Sequence, residues 1–161
     1  MSGREDAFSL IELMIVVAII LVIAAIAIPS LIRSKIAANQ ASAIESLRVI
    51  GTSEVTYAAT YGGGYSTTLA AMGPIPPGAV ATASAAGLID DLLASGSKSG
   101  YSFTYTPTLL DSTHRYNGYV VLANPITPGT TGADYYYEDE THLIRMNATA
   151  PAGSTDSCVA D

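Results

Sequence analysis

Sixteen consecutive apolar residues, Leu13 to Ile28, lie near the N-terminus, and Leu10 and Ile11 extend the run past a single acid, Glu12. A helix that is apolar on every side has no place on the surface of a small soluble domain. It needs lipid, or other copies of itself. The window from Leu10 to Ile28 covers about 28 Å as a helix, close to the hydrocarbon thickness of a bilayer. A carboxylate beside such a run costs several kcal/mol unless it stays at the interface or meets an opposite charge. A secretory signal would instead show a basic start, a shorter apolar segment and a small-residue cut. Here "MSGREDA" sets Arg4 against Glu5 and Asp6, and the best small-residue cut before Pro29 is offered by the alanines at 24, 25 and 27, inside the apolar run itself. The run therefore reads as a span. Arg33 and Lys35 follow it, yet the polar part of the chain lies beyond them, so charge leaves the orientation open.

The helix is expected to continue past Pro29. Ile32, Ile36, Ala43 with Ile44, Leu47, Ile50, Val55 and Ala58 recur at spacings close to one helical turn, which makes an amphipathic stripe. Abundant alanine supports the helix, Gly51 weakens it locally, and Pro29 is expected to kink or open it. The first half would need lipid or its own kind around it. The second half can pack on a small domain.

Phe8, the following "SLIEL" with Glu12, "MIVVAII" and then Pro29 stand in an order and spacing that resemble the type IV pilins and type II secretion pseudopilins. That family carries a class III signal peptide and a prepilin-type N-terminal methylation motif. The resemblance implies a leader, 1–7, removed between Ala7 and Phe8, with Phe8 becoming the N-methylated first residue. Ala7 stands where the family has Gly, and the leader lacks the family's basic character. Glu12 matches the family glutamate that acts in assembly, and Pro29 its helix-kinking proline. The implied organisation is a transmembrane and polymerisation half, 8–29, an amphipathic half, 30–61, a connecting segment, 62–100, and a sheet with a polar tail, 101–161. The implied function is that of a structural filament subunit, not an enzyme. It would sit in the inner membrane before processing and in an extracellular or periplasmic filament afterwards. Implied partners are further copies of the chain, a prepilin peptidase, an inner-membrane assembly platform and minor pilins. A secretion pseudopilin shares every feature of this anchor, and a membrane-anchored surface binding domain is the remaining alternative.

Beyond the helix, residues 62–83 mix Gly, Pro, Thr and Ala with little periodicity and read as a connecting loop. "SAAGLIDDLLASG" predicts one short helix starting near Ser84 or Gly87, with Asp90 and Asp91 on its solvent face. "YSFTYTP", "GYVVLANP", "ADYYYED" and "THLIRMNA" carry strand alternation, giving three or four antiparallel strands. Such a sheet needs its apolar face covered, and the striped helix is the natural cover. The expected fold is thus α+β, a long N-terminal helix with its C-terminal half packed on a small antiparallel sheet, and a loose tail "PAGSTDSCVAD".

Composition narrows the chemistry. The net charge is -7 and only 13% of residues are charged, which disfavours DNA or RNA as a partner because phosphate contacts need clustered Lys and Arg. Cys158 stands alone, which excludes an intrachain disulfide and a multi-cysteine metal site. His114, His142 and Cys158 match no catalytic or metal spacing. No cofactor is expected apart from calcium, for which Asp134, Glu138, Asp139 and Glu140 offer hard oxygen ligands, as the pseudopilin resemblance implies. A solvated acidic face is the plainer reading of these four. Asn147, Ala148 and Thr149 form a glycosylation sequon, and the tyrosines are expected in sheet packing.

Overall fold

The computed structural model describes residues 9–62 and 64–159. The expected cut between Ala7 and Phe8 lies outside the described residues. Contacts divide the chain into two units, Met1–Lys35 and Ile36–Asp161. Helix α1, Leu10–Tyr61, contributes to both.

In the first unit, α1 starts where the Ser9 carbonyl accepts the Glu12 and Leu13 amides at 3.0 and 3.2 Å. Glu12 lies in that first turn, where a carboxylate meets the positive end of the helix dipole. The apolar side chains from Leu10 to Ile28 are exposed almost throughout. Pro29 is inside the helix, which continues past it although proline supplies no amide to the preceding turn.

In the second unit, the rest of α1 lies on the sheet. Ala43, Leu47, Ile50 and Tyr57 are buried at helical spacing, with Ser46, Gly51, Ser53 and Glu54 beside them. The expected stripe holds from Ala43 to Ile50 and then departs from the structure. Val55 is exposed, and Glu54 and Tyr57 take the buried positions. The reason is geometric: five residues from Ile50 rotate a side chain about 140° away, whereas four and seven return it to the same face. Ile32 is likewise exposed.

The segment after α1 holds more order than a plain connection. A single turn, α2, Leu69–Met72, is capped by Thr68, whose side chain accepts the Ala71 amide, and closed by the Gly73 amide on Ala70. The helix predicted near Ser84 is only one turn, α3, Asp91–Ala94. Its start is delayed because residues 86–89 spend their amides elsewhere. Ala86, Leu88 and Ile89 donate to Ala71 and Met72, and Gly87, at φ 70°, donates to Gly73. Asp90 is therefore not simply on the solvent face. It is the N-cap, accepting the Leu93 amide at 2.8 Å, and it also takes the Lys98 ammonium.

Six antiparallel strands follow in sequence order: β1 Ser97–Lys98, β2 Tyr101–Leu110, β3 Tyr116–Pro125, β4 Tyr135–Asp139, β5 Arg145–Asn147 and β6 Ser157–Cys158. The expected three or four strands correspond to β2 to β5, and the two outermost strands are additions of two residues each. β5 is shorter than "THLIRMNA" suggests, and His142, at φ 58°, lies in the turn before it. The tail is docked rather than loose. β6 pairs with β5, the Val159 amide reaches the Ile144 carbonyl at 2.8 Å, and Asp156 accepts from Asn147 and the Gly153 amide. Asp156 ties the tail to Asn147 and to its own turn, which its polar composition does not reveal.

The core lies between α1 and one face of the sheet. Tyr101 and Phe103 of β2, Tyr119, Val121 and Ala123 of β3, and Tyr136 of β4 meet Ala43, Leu47, Ile50 and Tyr57. Leu69, Met72, Ile89 and Leu93 close one side. Register places Val121 opposite Glu138 and Ala123 opposite Tyr136. Period-two alternation thus points Glu138 into the core.

Candidate functional site

The residues singled out in the sequence fall in separate places. Glu12 and Pro29 lie in the first unit, Glu12 exposed in the opening turn of α1. α1 is long and apolar enough to cross a membrane. Ala7 and Phe8 precede the described residues.

The four acids of the sheet do not converge. Asp134 accepts the Gln40 amide at 2.6 Å, and its carbonyl accepts the Tyr101 hydroxyl. Asp139 accepts the Thr141 amide and hydroxyl. Burial pushes its pKa up, but these bonds and one from Tyr137 outweigh that and lower it. Glu140, in the turn after β4, is partly exposed, whereas Glu138 is buried. Among the described residues, no three His, Cys, Asp or Glu side chains come together as a metal site needs. His114 lies in the β2–β3 turn, apart from the β4–β5 turn that carries His142. His142 and the exposed Cys158 border one small cleft with Ile44, Arg48 and Ile144. Asn147 of the sequon is occupied: its amide donates to Asp156, and its oxygen accepts from Thr149 and Ala150.

Two carboxyl groups that residue type places at the surface sit inside the core, Glu54 of α1 and Glu138 of β4. Glu54 is fully buried and accepts both the Ser66 amide, at 2.8 Å, and the Ser66 hydroxyl, at 2.6 Å. Ser66 in turn accepts the Tyr105 hydroxyl through its carbonyl. This ties the chain leaving α1 to both the helix and β2. Glu138 is 1% exposed and approaches α1 at Gly51. A Cβ on residue 51 would stand 2.3 Å from Glu138 Oε1 and 2.8 Å from His142 Nδ1. The glycine is therefore what lets the sheet's acid reach the helix.

The electrostatics around Glu138 are lopsided. His142 Nδ1 is 3.8 Å from Oε1 and 3.3 Å from the Tyr119 hydroxyl, while Oε2 is buried without a hydrogen-bond partner. Burial pushes the Glu138 carboxyl up to about 8; a Tyr119 hydrogen bond opposes this, and Asp139 and Glu54 reinforce it. Tyr119 is pushed well above the usual phenol range by burial and by Glu138 and Glu54. Its ring stacks on Tyr105, at 5.9 Å, and meets Tyr65 edge-on, at 5.0 Å. A recess of about 470 Å³ opens beside this group, between Arg48, Thr52, Val55 and Thr56 of α1 and Glu138 and His142.

Two signals could have found these acids. Glu54 lies four residues after Ile50 and three before Tyr57, on the buried stripe. Glu138 lies two residues after Tyr136, on the same strand face.

Comparison with known proteins gives one match. The family described as the prokaryotic N-terminal methylation motif matches residues 3–28, the segment holding Glu12 and the apolar run. No curated protein and no solved structure matches the chain. A prepilin-type methylation motif is thus present, and it overlaps the apolar start of α1, a helix long and apolar enough to cross a membrane.

Proposed function

We propose that this chain is a structural subunit of a type IV pilus-like filament, held in the inner membrane by α1 and assembled through that same helix after processing. The observation that carries the reading is the methylation motif over residues 3–28, leading into an apolar helix with no cover of its own. Fourteen large apolar side chains are exposed from Leu10 to Ile28, and at ~1.5–3 kcal/mol each their hydration would cost about 20–40 kcal/mol. Lipid removes that cost in the membrane, and copies of the helix remove it in a filament. Transfer from one to the other keeps apolar surface away from water throughout.

Cleavage between Ala7 and Phe8 gives Glu12 a partner. The new α-amino group stands four residues before it in the sequence, the spacing of about one helical turn, so the carboxylate pairs with it within the chain or with that of a neighbouring subunit. A charge satisfied by a second chain sets the register of assembly. The peptidase, the inner-membrane assembly platform and minor pilins are the partners this function requires. A secretion pseudopilin would use the same anchor, and long surface filaments in electron micrographs distinguish the pilus.

The test is Glu12→Ala. Membrane insertion is expected to persist while the yield of sheared filaments collapses; wild-type yield would overturn the role given to Glu12. Mass spectrometry of wild-type filaments is expected to show methylated Phe8 at the N-terminus, and an intact Met1 would defeat the processing step.

A further inference from the structure

Glu138 stands out among the buried carboxyl groups as the one left unfinished. Glu54 has both Ser66 donors, and Asp139 has Thr141. Glu138 has a buried oxygen with no partner, pressed against a bare stretch of helix at Gly51. An ionised carboxylate in that niche would lack the donors it needs. A carboxylic acid needs far fewer. Of the residues facing it, Tyr119 supplies one hydrogen bond, and Oε2 is left without any. From α1 come Arg48 across the recess and Glu54; from β3 comes Tyr119, backed by Tyr65 and Tyr105; from β4 comes Asp139; and from the β4–β5 turn comes His142. Two of these are acids that oppose a further negative charge. His142 has a side chain 41% exposed and stands at 3.8 Å, too far for a hydrogen bond.

The turn over residues 140–144 is the part free to respond. It joins β4 to β5, holds His142 at φ 58°, and has Thr141, His142 and Leu143 exposed. It rests on the Glu138 niche through His142 and on Asp139, whose carbonyl accepts the His142 amide at 2.9 Å.

We propose that Glu138 is a proton-operated catch that holds the 140–144 turn against α1 at Gly51. Protonated, the acid remains under the helix and the turn is closed. Opening admits water to the carboxyl, returns it to its ordinary range and releases one proton to solvent. The direction follows from linkage. A carboxyl raised from 4.5 to about 8 in the closed form favours closure fully below the lower value and loses that advantage as pH rises to the upper one. One proton released per opening makes the opening constant rise roughly tenfold per pH unit between about 5 and 8, then level off. The recess beside Arg48, Thr52 and Thr56 gains a negative charge and a mobile wall in the same step.

The experiment is hydrogen exchange of the amides at 139–144 in the full chain in detergent micelles, from pH 5 to 9, corrected for intrinsic exchange. The wild type is expected to show the tenfold-per-unit rise with a plateau above 8, Glu138→Gln a flat profile, and His142→Gln the wild-type rise. A flat wild-type profile, a rise that survives in Glu138→Gln, or one abolished by His142→Gln would each overturn the catch. Carbon-13 NMR of the Glu138 carboxyl in the unmodified chain decides the matter even if a variant does not fold. A midpoint near 8 supports the proposal, and one near 4.5 refutes it.

Discussion

Removing the Glu54 side chain would test whether the joint between α1 and the sheet depends on a buried acid rather than on apolar contact. In Glu54→Ala the Ser66 amide and hydroxyl both lose their acceptor in a site where neither Glu54 nor Ser66 has solvent access. An orphaned buried donor costs about 1–3 kcal/mol, and the vacated carboxyl adds a small cavity. The hydroxyl has some relief, because it also reaches the Thr68 carbonyl at 3.2 Å. The expected loss is therefore about 3–5 kcal/mol. Ser66→Ala removes only the hydroxyl bond and leaves the amide in place, for a loss of about 1–2 kcal/mol. The double variant is expected to fall short of the sum by about 1 kcal/mol, since the orphaned hydroxyl is gone with its partner. Urea unfolding of the full chain in detergent, followed by near-ultraviolet circular dichroism, reads this directly. All ten tyrosines lie at or beyond Tyr57 and there is no tryptophan, so the signal comes from the second unit alone. A loss below about 1 kcal/mol for Glu54→Ala, or full additivity with Ser66→Ala, would refute the reasoning.

Gly51→Ala sets two effects against each other. Alanine is the better helix former by about 1 kcal/mol, but its methyl would sit 2.3 Å from Glu138 Oε1, and overpacking costs about 1–3 kcal/mol. A net loss is expected in the same urea assay, and a gain would show that the close approach is not what requires glycine. The acids of the sheet form no metal-ligating group of three among the described residues, so EDTA is expected to leave the melting temperature of the second unit unchanged. A fall of several degrees would reveal a bound cation.

The sequence carried the architecture further than the site. Apolar recurrence from Ala43 to Ile50 and the alternation in Tyr101, Phe103 and Tyr105 report burial directly, and the structure packs those positions together. The one-turn helices were harder, because α3 starts at a cap whose Asp also reads as a surface charge, and α2 has four residues. The short edge strands have too few residues to show alternation. Glu54 and Glu138 were missed for a different reason. Residue type argues for the surface, while spacing to Ile50, Tyr57 and Tyr136 argues for the core, and the structure follows the spacing. Gly51 was read as a weakness of the helix, when its missing side chain is what admits Glu138.

The six-stranded sheet ends in two strands of only two residues each, β1 and β6. An open sheet of greater length at its margins would offer rows of unpaired amides and carbonyls to any neighbour. Chains crowded side by side in a bilayer leaflet would then be templates for uncontrolled β-aggregation. Beyond β1 the uncovered stretch of β2 carries Pro107, which has no amide to donate, and β6 covers two of the three residues of β5, so a neighbouring sheet finds little continuous edge to add to. In the polymer proposed above, that would leave growth to α1, and the globular units could lie at high density without fusing into a continuous sheet.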